Sequence, residues 1–589
     1  MSRDFDTNTK RILGVSTMWA GALLCVVLVC ATIPWDMDEF IMYHVLACWE
    51  PSQQLNIYRD SCTGYPTRLG PIEFQRSFKY VGITSSLLLA PFHALSKSIW
   101  TPYAVGALAL IASVWGLVKC FMLPRCIMPA MLLFPPLVFT TLHDSGPVRV
   151  GLLVIAWSPI VAVQYLEAKR SRIIWLVLLM LMWAIAVEDK PFFVYLMPGI
   201  TLLSIASLSS RELLGQARRS WKLLLILFGG AAAFDILLLA AMRANGMPYL
   251  RYLASMSPGR SIDSWISSAI SGLFFIGDWP YYASRVSDYS SLGKLDATGL
   301  IGQVADSLPL GWSTQAVVAL TLTVFVVLLV IGFYAWAILR LVKHPERTSR
   351  QTALLLFLTA GVLWVGAVVA GGWDGHHFVY PQVPLLVLVA YAFAQLNEGY
   401  VRLGAAFGGL TFLTLIAIWL VPTKPEASRE ITVAFEKALV LADSGTIINC
   451  SSWGCYYTYS LLNERNIPVV FADDAQWTQR LQDFAKGQHK RIIHLCMACD
   501  LSAVKDLYPE SAVTQADAHT IIWSIFCVEP SVEPSPGGLS ATPLRQRYCE
   551  GEPINGEKAP SAASRSEFSR RYKWDYDLQI RTRTLTNLN

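Results

Sequence analysis

Long apolar runs dominate the chain, separated by short polar turns. The first covers residues 12–33, long enough to cross a bilayer at roughly 20 residues per span. Others stand at 80–95, 101–118, 128–142, 150–166, 173–187, 192–208, 223–242, 315–339, 352–370, 383–394 and 403–421. The run at 80–95 is short. With Lys119 and Arg125 on the inner face, two later crossings already return His143 and Asp144 to the outer one, so 80–95 is expected not to cross. The pattern therefore predicts an α-helical polytopic membrane protein with about eleven spans. Arg3, Lys10 and Arg11, and the turns at 167–172, 211–222, 343–350 and 398–402, carry the cations that make their side cytoplasmic. The first run is too long for a signal-peptide core and ends in Pro34-Trp35-Asp36 with no small-residue cleavage site, so it reads as a retained span.

Two outer stretches are long, 34–79 and 243–313, and the second contains an amphipathic aromatic segment at 262–282. Ordered loops of this length usually act as lids or binding loops. From residue 431 the period changes. Short β-branched runs at 446–448, 468–470, 491–493 and 520–522 alternate with helix-like segments at 455–462, 475–486 and 501–507. That alternation predicts a small α/β domain with a parallel sheet over 431–528, on the outer face by parity, after a transmembrane domain over 1–425. Residues 529–589, rich in Pro, Ser and Gly, read as an irregular tail.

Composition agrees. Of 589 residues 54% are hydrophobic and 15% charged, with a mean hydropathy of +0.43, which leaves room for one soluble domain. The net charge of +5 is spread over short loops and gives no nucleic-acid footprint. Cys48 with Cys62, Cys450 with Cys455, and Cys527 with Cys549 are candidate disulfides in an oxidising compartment. Cys496 and Cys499 have redox spacing but follow a buried-looking strand, which favours a structural disulfide or two buried thiols. Asn449-Cys450-Ser451 is a glycosylation sequon that matters only in a eukaryotic lumen. Short loops and compact ends suit a bacterial inner membrane, with the outer domain in the periplasm.

The chain has no phosphate-binding loop, no dinucleotide glycine fingerprint and no H-E-x-x-H helix. An enzyme so built takes its activated group from something other than a soluble nucleotide on the inner face, and a lipid-linked donor is the natural source. The outer face is expected to carry Asp36, Asp38, Glu39, Arg68, Glu73, Arg76, Lys79, His143, Asp144, Arg149, Glu188, Asp189, Lys190, Asp374, His376, His377 and Tyr380. Carboxylates beside cations suit transfer from a phosphate leaving group, with a base for the acceptor hydroxyl and positive charge where the phosphate develops. Loop ends are polar in any membrane protein, which explains single residues equally well. The clusters at Asp38, Lys190 and His376 stand out from that background. A divalent cation is compatible with carboxylates near a phosphate, though no ligand spacing demands one. His143-Asp144-Ser145 has the residue types of a hydrolase triad, but chain neighbours seldom point at one another. Asp235 sits inside a predicted span, as a functional acid or as a hydrogen-bond partner within the bundle.

Asp38-Glu39 with Tyr43 after the first span resembles the acidic motif of the C-type glycosyltransferase superfamily, in particular its protein O-mannosyltransferase and lipid A aminoarabinose transferase branch. Leu88-Leu89-Ala90-Pro91-Phe92, His143-Asp144 with Arg149, Glu188-Asp189-Lys190-Pro191, and His376-His377-Phe378-Val379-Tyr380-Pro381 are similar in order and spacing to later motifs of that branch, over residues 12–420. The resemblance implies transfer of a sugar from a polyprenyl phosphate to a glycan, lipid or protein on the outer face, usually with inversion. It implies Asp38 as general base, with Glu39 and Asp144 orienting the acceptor or supporting the base. Lys190, Arg68, His376, His377 and Tyr380 are implied at the lipid phosphate, and Glu73, His143, Arg149 and Asp374 in acceptor or supporting roles. The arginine usual in the late turn is replaced here by histidines, and Asp36 competes with Asp38 for the role of base. The contrasting reading is a transporter or flippase of lipid-linked sugars. Polar groups at the ends of spans, with no paired broken helices at the midplane, count against it.

Overall fold

The computed structural model describes residues 2–32, 65–69, 72–76, 82–95, 101–143, 147–168, 170–244, 314–369, 375–396, 398–420, 438, 441, 445–450, 469–470, 475–487, 490–497, 501–509, 511–517 and 523–530. The chain begins with α1 (Ser2–Thr32) and a hairpin of β1 (Tyr65–Leu69) and β2 (Ile72–Arg76). The bundle follows with α2 (Thr84–Leu95), α3 (Thr101–Cys120), α4 (Met128–Leu132), α5 (Pro135–His143), α6 (Pro147–Glu167), α7 (Arg172–Asp189), a 3-10 turn (Pro191–Leu196), α8 (Met197–Ser210), α9 (Leu214–Arg219) and α10 (Trp221–Ala244). It continues with α11 (Thr314–Val342), α12 (Arg347–Val369), a 3-10 turn (Gly375–Phe378), α13 (Val379–Ala394) and α14 (Gly399–Leu420).

Every run expected to span coincides with a helix or a bent pair. Among the described residues seven helices are long and apolar enough to cross a membrane, or eight if the pair α4 and α5 is one span. That pair bends by 64° because Pro135 and Pro136 follow Phe134, and the residue before a proline is pushed out of the helical region. Thr411 on α14 donates to the Leu133 carbonyl at the break, at 2.5 Å, which satisfies a group the bend would otherwise orphan. The short α13 is buried on nearly every side, as an all-round apolar helix must be, and packs against α5, α11, α12 and α14. The rim is the reverse. Ile173, Ile174, Leu225, Ile226, Leu237, Leu328, Leu354 and Phe357 are exposed yet apolar, a surface that belongs in lipid rather than water.

At the end of the bundle carrying the basic turns, α3 and α8 stop in the same way. Met122 and Glu212 take left-handed backbone, with φ of 53° and 59°. The amides after them close onto Val118 and Leu208, both at 2.9 Å, in the Schellman pattern. Arg211 then ties the two ends together through the carbonyls of Cys120 and Lys119.

The carboxyl-terminal region contains β3 (Thr446–Cys450), β4 (Val469–Val470), α15 (Ala475–Gly487), β5 (Arg491–Met497), α16 (Leu501–Leu507), β6 (Ser511–Asp517) and β7 (Trp523–Pro530). The sheet order is β4-β3-β5-β7-β6. The sheet was expected to be parallel, and only half of it is: β3 runs parallel to β4 and β5, whereas β7 is antiparallel to β5 and β6. The cause is the connection 518–522, which is too short for the crossover a parallel pair needs. The strand expected at 520–522 is first described from Trp523, and β6 was not anticipated. The expected helix at 455–462, the aromatic loop at 262–282 and residues 531–589 lie outside the described residues.

Candidate functional site

Opposite the basic turns, three separated parts of the chain meet around one ring. Helix α7 ends at Asp189 because Pro191 follows two residues later, forcing Lys190 into extended backbone, with φ −149° and ψ 106°. Proline then fits the first position of the 3-10 turn, where no donor is needed. Lys190 is 7% exposed, with Nζ 5.2 Å from the centre of the Phe192 ring, a cation over an aromatic face. The His377 ring centre lies 4.3 Å from that of Phe192, and Tyr380, at the start of α13, lies 5.9 Å away. Both are buried.

Helix α6 closes this cluster. A Cβ at Gly151 would stand 2.6 Å from the Tyr380 hydroxyl, so only glycine allows the approach. Two residues earlier, buried Arg149 donates from Nε to the Thr141 carbonyl at 2.9 Å and from Nη2 to Leu142 at 3.3 Å. A guanidinium at the negative end of α5 is favourable for both. Gly106 leaves room for it: a Cβ there would be 2.8 Å from Arg149 Nη2.

The acids before Lys190 are also engaged. Glu188 accepts from the Ile83 amide at 3.1 and 3.2 Å and from the Thr84 hydroxyl at 2.9 Å. Asp189 accepts from the Ser85 amide at 2.8 Å and its hydroxyl at 2.5 Å. Together they serve the first turn of α2, whose amides have no partner within their own helix.

Of the residues singled out from sequence, Lys190, His377 and Tyr380 are brought together, with Arg149 beside them on α6. Arg68 and Glu73 are Cα partners across the β1–β2 hairpin, inside what read as a plain polar loop. His143 ends α5 and His376 lies in the 3-10 turn before α13. Asp36, Asp38, Glu39, Asp144 and Asp374 lie outside the described residues. No group of three His, Cys, Asp or Glu suited to a metal occurs among the described residues. Sequence reasoning missed Phe192, which had been absorbed into an apolar run, and Gly151. The signal for the first was a ring two residues beyond a lysine-proline pair.

Asp235 was weighed as a hydrogen-bond partner within the bundle. The structure overturns that option: the residue is buried on α10 and neither carboxylate oxygen has a partner among the described residues. The sequon asparagine, Asn449, is buried in β3, where its amide donates to the Tyr508 hydroxyl at 2.7 Å and lies 3.1 Å from His494 Nδ1. Tyr508 is itself 3.0 Å from that nitrogen. Burial pushes His494 down from 6.5 to about 4. Cys527 is disulfide-bonded, whereas Cys25, Cys120 and Cys126 are free thiols.

No family model matches this chain, and no curated protein does. Solved structures do. The crystal structure of ArnT from Cupriavidus metallidurans bound to undecaprenyl phosphate is similar at 10% identity with a TM-score of 0.45, covering 87% of this chain and 97% of that one. ArnT from Cupriavidus metallidurans in the apo state is similar at 11% identity with a TM-score of 0.36, covering 89% of this chain and 98% of that one.

Proposed function

We propose that this protein is a membrane glycosyltransferase of the C-type superfamily, which moves a sugar from a polyprenyl phosphate to an acceptor on the outer face of a bacterial inner membrane. The observation that carries the reading is the convergence of Lys190, Phe192, His377 and Tyr380 at one end of the bundle. A lipid phosphate needs a cation held where water is scarce, and apolar rings beside it for the first isoprene units. Arg68 and His376 are assigned to the same phosphate, and Glu73, His143 and Asp374 to the acceptor side. Asp38 takes the acceptor proton as general base, with Asp36 the competing candidate and Glu39 and Asp144 orienting the hydroxyl. Loss of the phosphate then leaves negative charge that Lys190 stabilises without reorganisation.

The cysteines support the orientation. Free Cys120 and Cys126 stand beside the basic turns, and the disulfide of Cys527 belongs to the carboxyl-terminal domain, as cytoplasmic and periplasmic placement require.

The test is to incubate the purified protein in nanodiscs with a panel of polyprenyl-phosphate sugars and a cell-envelope extract, following release of free polyprenyl phosphate. Release by the wild type and none by Asp38→Asn is the expected result. Normal release by that variant sinks the choice of base, and none from any donor sinks the enzyme class.

A further inference from the structure

The turn that presents Lys190 is joined to a segment about a hundred residues earlier. Besides the carboxylate contacts to residues 83–85, the Gly82 amide donates to the Asp189 carbonyl at 2.7 Å. The fit is close: a Cβ on Gly82 would lie 2.1 Å from the Glu188 carbonyl oxygen and 2.4 Å from its carboxylate. Acids usually cap a helix from its own chain just before the first turn. Here both come from the end of α7, and Lys190 follows directly.

The segment they hold has its own place in the site. Helix α2 packs on α3, α6 and α7, and α6 bears Gly151 and Arg149. One set of contacts therefore joins the start of α2 to the turn that carries the buried cation.

We propose that Asp189 is a positioning residue for the Lys190 site: through its paired hydrogen bonds to Ser85 it locks the start of α2 to the Lys190 turn, so that the phosphate-binding cation and α2 are held as one unit. The proposal rests on reading Lys190 as a lipid-phosphate ligand. It requires acceptor geometry at Asp189 rather than its charge, because both bonds run from Ser85 to carboxylate oxygens. An asparagine keeps one acceptor for the amide, and its NH2 donates to the hydroxyl oxygen.

The experiment measures the affinity of the full chain in nanodiscs for undecaprenyl phosphate, with hydrogen exchange at the Ile83 and Ser85 amides read in parallel. Asp189→Ala is expected to speed that exchange and weaken binding about tenfold, the scale of mutations along a coupled network. Asp189→Asn is expected to stay within about threefold of wild type, as a retained hydrogen-bond geometry allows. Lys190→Ala combined with Asp189→Ala should be no weaker than Lys190→Ala alone, since the acid acts through the lysine. Ser85→Ala keeps the amide bond and loses the hydroxyl, so it should fall between wild type and Asp189→Ala, and it serves if Asp189→Ala does not fold. Faster exchange with unchanged affinity overturns the proposal, as do additive losses, or an Asp189→Asn variant as weak as the alanine. A wild type with no affinity for the lipid instead overturns the phosphate-site reading, and this proposal with it.

Discussion

Two buried histidines, one in the bundle and one in the sheet domain, sit beside aromatic rings and differ in what surrounds them. His494 faces Tyr508 with ring centres 5.4 Å apart, and Asn449 joins them in a set of hydrogen bonds within the domain core. His377 lies tilted against Phe192 with ring centres 4.3 Å apart, and the same ring carries a lysine. A polar group whose partners all lie inside its own core holds a fold together and offers nothing to a ligand. A cation and rings drawn from two parts of the chain, at the end of the bundle, are what the proposed lipid phosphate would need. The residue type is the same in both places, and its neighbours separate structure from function.

The comparison breaks most visibly at Gly151. Gly151→Ala puts a Cβ into the Tyr380 hydroxyl, and Tyr380, pinned by Phe192, has little room to move. Affinity for undecaprenyl phosphate should fall on the order of 10²-fold, the cost of a misplacement near 1 Å, with hydrogen exchange of the β5 and β7 amides unchanged.

The sheet domain should show the complementary response, to pH rather than to lipid. His494 holds its proton only below about 4 in the folded chain and below 6.5 when unfolded. The unfolded chain therefore binds the extra proton between those values. Stability is fully present above about 6.5 and falls as pH drops toward 4, by about 3 kcal/mol in all. Exchange of the β5 amides, after correction for intrinsic rates, should report the loss, and His494→Gln should flatten the dependence. A flat wild-type profile would remove His494 from the folding account.

The smallest effect concerns Asp235, which belongs to neither cluster. An acid buried without a partner costs stability, so Asp235→Leu should raise the thermal midpoint by about 1 to 3 kcal/mol worth of stability, with lipid affinity intact. A lower midpoint would mean that the acid is bonded after all.

The spans were legible in the sequence because hydropathy over roughly 20 residues is a property of the chain itself. The bend at Phe134 was less so, since two prolines in an apolar run signal a break without its angle. Half the sheet was misread because strand composition does not say which neighbour a strand meets, and the length of 518–522 decided it. The Glu188 and Asp189 contacts were invisible because their partners are mostly backbone amides, which every residue has. Lys190, His377 and Tyr380 were found by residue type and motif order. Phe192, the ring they share, was hidden among apolar neighbours.

The most direct measurement of the central claim is the affinity of the purified full chain for undecaprenyl phosphate, compared with Lys190→Ala and with Lys222→Ala, an exposed cation at the opposite end of the bundle. The account predicts saturable binding that falls at least about 10²-fold in Lys190→Ala and is unchanged in Lys222→Ala. Equal affinity in all three would contradict it.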